Sequence, residues 1–107
     1  MLGVTGPNEY ENNINNNWYT NKMAHWTLSY TSDMLAKWKN HPEVSPMLER
    51  INFKHSEIDD WQKIIDNLYF PESEKHGVFL QQDGYLDKEQ VMAADLPEEE
   101  RPINQHW

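Results

Sequence analysis

The group in this chain best placed for chemistry is a carboxylate on a turn between an amide and an aromatic side chain. Glu9 follows the turn-forming pair Gly6-Pro7 and lies between Asn8 and Tyr10. A Gly-Pro turn holds the next side chain in a defined place, and catalytic groups concentrate on loops that a rigid scaffold positions. A carboxylic acid held there could act as a general acid. From the local residues alone, a solvated surface glutamate is the commoner interpretation.

Patterns for other common kinds of site do not occur in the sequence. None of the five His lies three or four residues from another, the spacing of metal ligands on a helix. Asp83, Gly84 and Asp87 lack the alternating oxygen ligands of a calcium loop. There is no glycine-rich phosphate loop and no Gly-x-Ser-x-Gly motif. We therefore expect no metal site, and Glu9 is the leading candidate for catalysis.

The chain is acidic, with a formal net charge of -9 and nine Lys and Arg among 107 residues. A basic stripe that could neutralise phosphates is missing, so we expect no nucleic-acid binding. The same charge opposes docking on anionic membranes, and no apolar run approaches the roughly 20 residues that span a bilayer. The first residues lack the basic-then-apolar pattern of a signal peptide. Because the chain has no cysteine, disulfides and thiolate metal sites are excluded and a cytoplasmic location is the default.

Helical periodicity dominates the elements that must position Glu9. Apolar and aromatic residues over 17–39 predict a long helix with bulky groups on several faces, which is typical of a helix buried on most sides. A second helix is predicted over 56–69, beginning with a Ser-x-x-Asp capping box and ending before Pro71. A helix buried on most sides needs neighbours, and a chain of this length supplies few of them.

The remaining segments predict loops and short extended pieces. Residues 4–17 contain a Gly-Pro turn and six Asn, five of which lie between Asn12 and Asn17, and this composition is typical of a loop. Residues 40–53 contain two prolines and predict a connector with at most one short turn. Residues 77–86 predict an extended hairpin that turns at Asp83-Gly84, and residues 89–94 predict a short helical turn.

Residues 3–21, GVTGPNEYENNINNNWYTN, resemble the catalytic-acid segment of glycoside hydrolase family 65. The family core is Gly-Pro-(Asp/Asn)-Glu-Tyr, followed by an Asn-rich run and Tyr-Thr-Asn. Residues 84–89, GYLDKE, are similar to the family's Gly-Tyr-x-Asp-x-Glu, and residues 101–107, RPINQHW, are similar to its Arg-Pro-Leu-Asn-Gln-x-Trp. Where trehalose and kojibiose phosphorylases continue Tyr-His-Glu, this chain has Tyr10-Glu11-Asn12. That departure is similar to the maltose branch of the family.

The resemblance implies a mainly α fold, in which residues 1–107 form part of an (α/α)6 barrel. Residues 1–17 would then be the catalytic-acid loop, and residues 18–107 would be barrel helices with their connecting loops. The chain would be an internal part of a longer catalytic domain. On this interpretation the phosphate-binding residues lie outside residues 1–107.

The same resemblance implies inverting phosphorolysis of maltose, which yields β-D-glucose 1-phosphate and D-glucose. Glu9 occupies the position of the family's proton donor, and we expect Asn8, Tyr10 and Asn13 to bind substrate. An inverting hydrolase needs a second carboxylate to activate water, whereas phosphate is already an anion, so one acid suffices. The expected partners are maltose and inorganic phosphate as co-substrate, with no cofactor and no metal. The full-length enzyme is expected to be a homodimer.

Two alternatives remain open. One is a phosphorylase of another α-glucobiose, such as trehalose, kojibiose or nigerose. The other is a non-catalytic helical interaction module, which the acidic surface would suit. In either enzymatic interpretation we expect residues 1–107 alone to be inactive. Trp18, Tyr19 and Trp26 could stack on sugars, although aromatics at helical spacing are more often core, and we expect most of the Asn to fix the loop.

Overall fold

A computed structural model of the chain describes residues 1–9, 11–89 and 91–100. The mainly helical expectation is confirmed, because this described part contains three α-helices and one sheet of two very short strands. The chain divides into two compact units. Unit 1 consists of Met1–Asn21 and Tyr69–Trp107, and unit 2 consists of Lys22–Leu68.

Helix α1 spans Trp18–Trp38, within one residue of the predicted bounds at each end. Asn17 caps it, since its Oδ1 atom accepts hydrogen bonds from the backbone N–H and the hydroxyl of Thr20, each at 3.0 Å. An N-cap amide satisfies one of the N–H groups that the first helical turn leaves without a partner. The start of α1 is therefore set by a local side-chain contact.

Helix α2 spans Val44–Arg50, so the prediction of at most one short turn in this connector is wrong. Seven residues make about two turns. Pro46 is the third residue of the helix, where a backbone N–H has no intrahelical partner, so its missing donor costs nothing. Asn52 ends the helix in the left-handed region at φ 55°, and the Phe53 N–H donates to the Leu48 carbonyl at 3.0 Å, as in a Schellman motif.

Helix α3 spans Ser56–Asn67, which confirms the second predicted helix and ends it two residues earlier than expected. The predicted capping box is wrong, because Ser56 is already helical and His55 precedes it without a side-chain cap bond. Glu57 takes over part of this role. Its Oε1 atom accepts a hydrogen bond from the Lys54 backbone N–H at 2.8 Å, because the longer side chain reaches back three residues.

The antiparallel hairpin begins before the segment where it was predicted and overlaps only the first residues of that segment. Strand β1, Glu72–Ser73, pairs with strand β2, Val78–Phe79. The turn between them closes where the N–H of Gly77, at φ 62°, donates to the Ser73 carbonyl at 2.8 Å. The predicted turn at Asp83-Gly84 is therefore wrong. Gly84 instead precedes a 3-10 helix at Tyr85–Asp87.

Short 3-10 helices complete the described chain. The helical turn predicted over 89–94 lies slightly further along, at Ala93–Asp95, and another follows at Glu98–Glu100. The segment 101–107, which carried part of the family resemblance, lies outside the described residues. Within the described ranges, no helix has the length and apolarity needed to cross a membrane.

Polar side chains occupy the most buried positions of the described chain. Apart from Pro71, no apolar side chain in this part is fully buried, whereas Asn17, Asn21 and Gln82 are 1%, 0% and 2% exposed. Burying an amide is unfavourable unless it is hydrogen-bonded. Asn21 meets this requirement by donating to the Tyr69 carbonyl at 2.7 Å. Because all these positions belong to unit 1, buried amides organise that unit.

Candidate active site

The loop that carries Glu9 is closed at its base by two backbone hydrogen bonds. The Val4 N–H donates to the Ile14 carbonyl at 2.8 Å, and the Ile14 N–H donates to the Val4 carbonyl at 3.0 Å. Gly3 and Asn13 flank this bridge in the left-handed region, at φ 61° and 55°. Glu9 thus lies midway along a closed loop.

The side chain of Glu9 is exposed, and that of Asn8 is half-buried. The Glu11 N–H donates to the Asn8 carbonyl at 3.2 Å, so Glu9 lies in a short turn that this bond closes. Tyr10, the third residue predicted at the site, lies outside the described residues. An exposed carboxyl group on a closed turn could present a proton to a bound ligand.

Asn13 is exposed and lies beside the bridge at the base of the loop. Asn adopts its left-handed conformation more readily than most residues do. The expectation that most of the Asn fix the loop is confirmed for Asn15 and Asn16. Asn15 Oδ1 accepts from the Gly3 N–H at 3.0 Å, and Asn16 Nδ2 donates to the Asp83 carboxylate at 2.6 Å.

A close approach to the buried Asn17 side chain explains the glycine in the Gly-Pro turn. A Cβ atom on Gly6 would lie 2.3 Å from Asn17 Nδ2, which is far inside a van der Waals contact. Asn17 cannot easily move away, because it caps α1 and also donates to the Gln81 carbonyl at 3.2 Å. Gly6 therefore allows the Glu9 loop to lie against the start of α1.

Residues 81–83, which we call the strap, are bonded to this loop at successive positions. The Gln81 carbonyl accepts from the Trp18 N–H at 2.9 Å, and the Asp83 N–H donates to the Asn15 carbonyl at 3.1 Å. With the bonds made by Asn16 and Asn17, the strap ties the loop to the beginning of α1. Because Asp83 bonds to Asn15 and Asn16, it does not form the predicted hairpin turn.

Glu11 is the centre of a second set of contacts between the loop and the later part of unit 1. Its Oε2 atom accepts from Nε2 of Gln81 at 3.2 Å and from Nε2 of Gln82, and its Oε1 atom accepts from Lys88 Nζ. Gln81 Nε2 also donates to Gln82 Oε1 at 3.0 Å. The Glu11 side chain is 14% exposed and that of Lys88 is 41% exposed. We call these four residues the Glu11 cluster.

The Glu11 cluster was not predicted from the sequence. Gln81 and Gln82 fell in a segment predicted to be extended, and 70 and 71 residues separate them from Glu11. The sequence signal available for this region was the resemblance of residues 84–89, which include Lys88. In the described ranges no three His, Asp or Glu side chains come together in a way that could hold a metal ion.

The aromatic residues considered as sugar platforms differ in their surroundings. Trp18 is half-buried and packs on Phe70 and Phe79, with ring centroids 5.6 and 5.0 Å apart. Tyr19 and Trp26 are 52% and 54% exposed. Trp18 therefore packs as a core residue, whereas Tyr19 and Trp26 do not within this chain. A shallow hollow beside the Glu9 loop is lined by Pro7, Asn17, Trp18, Tyr19, Phe79, Leu80 and Gln81.

Comparison with known proteins gives matches along the whole chain. The family model for the glycosyl hydrolase family 65 central catalytic domain matches residues 1–107. A maltose phosphorylase from Bacillus subtilis is 44% identical over 98% of this chain, and an α,α-trehalose phosphorylase from Thermoanaerobacter brockii is 37% identical over 97%. The chain spans only 13% and 14% of the lengths of these relatives. A solved structure from the human microbiome, assigned as a kojibiose phosphorylase, matches with a TM-score of 0.80 at 28% identity, covering 100% of this chain and 14% of that one.

Proposed function

We propose that this chain, which belongs to glycosyl hydrolase family 65, supplies the proton donor of an inverting disaccharide phosphorylase, and that Glu9 is this donor. The observation that carries the proposal is the setting of Glu9. Its exposed carboxyl group lies on a short turn, in a loop that the Val4–Ile14 bridge closes and the strap holds against α1. A general acid needs this combination of access and fixed position.

In the proposed reaction, Glu9 donates its proton to the glycosidic oxygen of an α-glucoside. The bond from that oxygen to the anomeric carbon breaks, and a phosphate oxygen forms a new bond to the carbon from the opposite face. The products are β-glucose 1-phosphate and the released sugar. Because phosphate is already an anion, the step needs no second carboxylate to activate a nucleophile. Asn8, Tyr10 and Asn13 are the residues of the loop that we propose contact the sugar.

Maltose is the proposed substrate, since the maltose phosphorylase from Bacillus subtilis is more similar to this chain, at 44% identity, than the trehalose phosphorylase, at 37%. A phosphorylase of another α-glucobiose is the second candidate. Relatives named for kojibiose and nigerose are 33% and 29% identical, so proteins named for several disaccharides are similar to this chain. Measuring phosphorolysis of the four disaccharides side by side separates these candidates.

We further propose that residues 1–107 form part of an (α/α)6 barrel, with residues 1–17 as the catalytic-acid loop and residues 18–107 as barrel helices and connections. The match to a solved structure at a TM-score of 0.80 supports this architecture. The complete enzyme is proposed to be a cytoplasmic homodimer that uses inorganic phosphate and no cofactor. The phosphate site is proposed to lie outside this chain.

The test uses a full-length chimera, in which residues 1–107 replace the matching segment of the Bacillus subtilis maltose phosphorylase. Protonation of the leaving oxygen is needed only in the transition state, so Glu9→Gln should lower kcat on maltose and leave KM nearly unchanged. General acid catalysis typically contributes about 10²- to 10⁴-fold, and we expect a loss in that range. Glu43→Gln, the same change at an exposed glutamate of unit 2, is the matched control and should retain full activity.

The leaving group provides a second arm of the experiment. Fluoride departs with little help from an acid, so Glu9→Gln should lose much less activity on α-glucosyl fluoride than on maltose. Near-normal maltose turnover by Glu9→Gln would show that Glu9 is not the acid. A folded chimera that cleaves none of the four disaccharides would favour the non-catalytic interaction module.

A further inference from the structure

We infer that Glu11 is a positioning residue for the Glu9 acid, because its carboxylate anchors the turn that carries Glu9 to residues 81–88 of the same unit. The inference rests on the proposed function, since it concerns how the proposed proton donor is held. It assigns Glu11 a role in turnover without placing it in contact with the sugar.

The backbone joins the two glutamates directly. Glu11 lies two residues after Glu9, and its N–H donates to the Asn8 carbonyl at 3.2 Å. Glu9 therefore lies inside a turn whose closing bond is made by Glu11. A displacement of Glu11 would open that bond and move the Glu9 carboxyl group with it.

The side chain of Glu11 is held in one direction by three donors from two distant segments. Two amide nitrogens, from Gln81 and Gln82, reach one carboxylate oxygen, and the Lys88 ammonium reaches the other. Hydrogen bonds to an ionised partner are shorter and stronger than neutral ones. With 14% of its side chain exposed, Glu11 is largely withdrawn from solvent, whereas Glu9 is exposed. The Glu9 carboxyl group is thus accessible to a ligand, whereas the Glu11 carboxylate is occupied by contacts within the protein.

The two glutamines that hold Glu11 are themselves fixed. Gln82 is 2% exposed, and the Gln81 carbonyl accepts from the Trp18 N–H at 2.9 Å, at the first residue of α1. Through Gln81, the turn that carries Glu9 is therefore held at a fixed place relative to the first residue of α1. Catalytic geometry is sensitive at this scale, because a misplacement of about 1 Å can cost about 10²-fold in rate.

The experiment compares Glu11→Ala and Glu11→Gln in the same full-length chimera. Glu11→Ala removes all three contacts, and we expect it to lower kcat on maltose by about 10²-fold with little change in KM. Glu11→Gln keeps a carbonyl acceptor but loses the charge that pairs with Lys88, so its loss should be smaller. Both variants should lose less activity on α-glucosyl fluoride than on maltose, because the fluoride reaction depends less on a well-placed acid.

A double variant separates positioning from general damage to the fold. If Glu11 acts through Glu9, then Glu11→Ala should cause little further loss once Glu9→Gln has removed the acid. A purely structural role would lower activity by a similar factor in both backgrounds and on both substrates. Full additivity, or equal losses on maltose and the fluoride, would overturn the inference.

The outcomes distinguish this inference from the function on which it rests. Normal maltose turnover by Glu9→Gln would remove the proposed acid and the inference together. A strong loss for Glu9→Gln combined with normal turnover by both Glu11 variants would overturn the positioning role alone. If the full replacement does not fold, a chimera that carries only residues 3–21 and 81–89 contains both glutamates and the Glu11 cluster, and the same outcomes apply.

Discussion

The hydrogen bonds within unit 1 and those within unit 2 differ in the sequence separation of the residues that they join. In unit 1, the Asn17 side chain bonds to Gln81, 64 residues away, and Glu11 bonds to Gln82, 71 residues away. In unit 2, side-chain bonds such as that from the Thr27 hydroxyl to the Met23 carbonyl, at 2.8 Å, join residues one helical turn apart. The shape of the Glu9 loop therefore depends on distant partners, whereas these side-chain bonds of unit 2 join residues that are close in the sequence.

Among the described residues, the fully buried amides all belong to unit 1. Buried amides of unit 1, such as Asn21 and Gln82, are 0% and 2% exposed, while Trp26, Tyr30 and Ile64 of unit 2 are 54%, 50% and 47% exposed. A satisfied buried amide specifies one arrangement, because any other leaves a polar group without a partner. Exposed aromatics specify no partner by themselves. The comparison predicts that unit 1 resists local opening, and that the exposed aromatics of unit 2 are available for contacts with other molecules.

The largest expected effect is self-association of the 107-residue chain through the exposed aromatics of unit 2. Trp26 and Tyr30 stack at 5.1 Å with an interplanar angle of 14° and are both at least half exposed, and large exposed apolar patches drive association. We expect sedimentation velocity to show oligomers and calorimetry to show no sharp melt. The double variant Trp26→Ser/Tyr30→Ser should reduce the association, and Thr27→Ser on the same helix should not. A soluble monomer with a sharp cooperative melt would contradict this prediction.

A smaller effect is expected when the buried N-cap of α1 is removed. Asn17→Ala deletes the bonds to Thr20 and to the Gln81 carbonyl. The carbonyl keeps its bond from the Trp18 N–H, so the lost cap and the lost amide bond together should cost about 2 kcal/mol. Hydrogen–deuterium exchange of the Thr20 amide in the full-length chimera would measure this loss as faster exchange. Asn67→Ala is the matched control in unit 2, because Asn67 is exposed and donates to the Lys63 carbonyl at 2.8 Å. Its effect should stay below about 0.5 kcal/mol, and equal losses at the two sites would break the comparison.

The smallest effect is expected at the exposed ion pair of α3. A hydrogen bond from Lys63 to the Asp60 carboxylate, at 2.7 Å, and the charge of that carboxylate raise the pKa of Lys63 above its ordinary value of 10.5. A raised lysine pKa adds stability that is present below the ordinary value and lost as pH rises through the raised one. Asp60→Asn should return the pKa of Lys63 towards 10.5 in an NMR titration of its side chain. At neutral pH the stability of α3 should hardly change, because solvent screens the exposed pair. An unchanged pKa in the variant would rule out Asp60 as the cause.

Local patterns were sufficient for the two longer helices. The apolar periodicity over 17–39 and 56–69 predicted α1 and α3, whose observed bounds are Trp18–Trp38 and Ser56–Asn67. Helix α2 was not predicted, because the two prolines in residues 40–53 favour a connector. A proline in the first turn of a helix, however, removes no hydrogen bond. The position of Glu9 in the Gly-Pro-Asn-Glu-Tyr motif also came from the sequence, through its resemblance to the family. Its role as the acid stays a prediction.

Sequence alone therefore determined the features that depend on neighbours within a few residues: the two longer helices, the Gly-Pro turn and the Asn-rich loop. Only the tertiary structure decided which distant side chains meet. It placed Gln82 and Lys88 on Glu11, tied Asp83 to the loop and put the hairpin at Glu72–Ser73 and Val78–Phe79. The physical reason is that an amide or carboxylate can bond to any suitable donor or acceptor, so its partner is set by which segments the folded backbone brings together. A helix, in contrast, forms backbone hydrogen bonds between residues four positions apart, so the partners are fixed by the order of the residues along the chain.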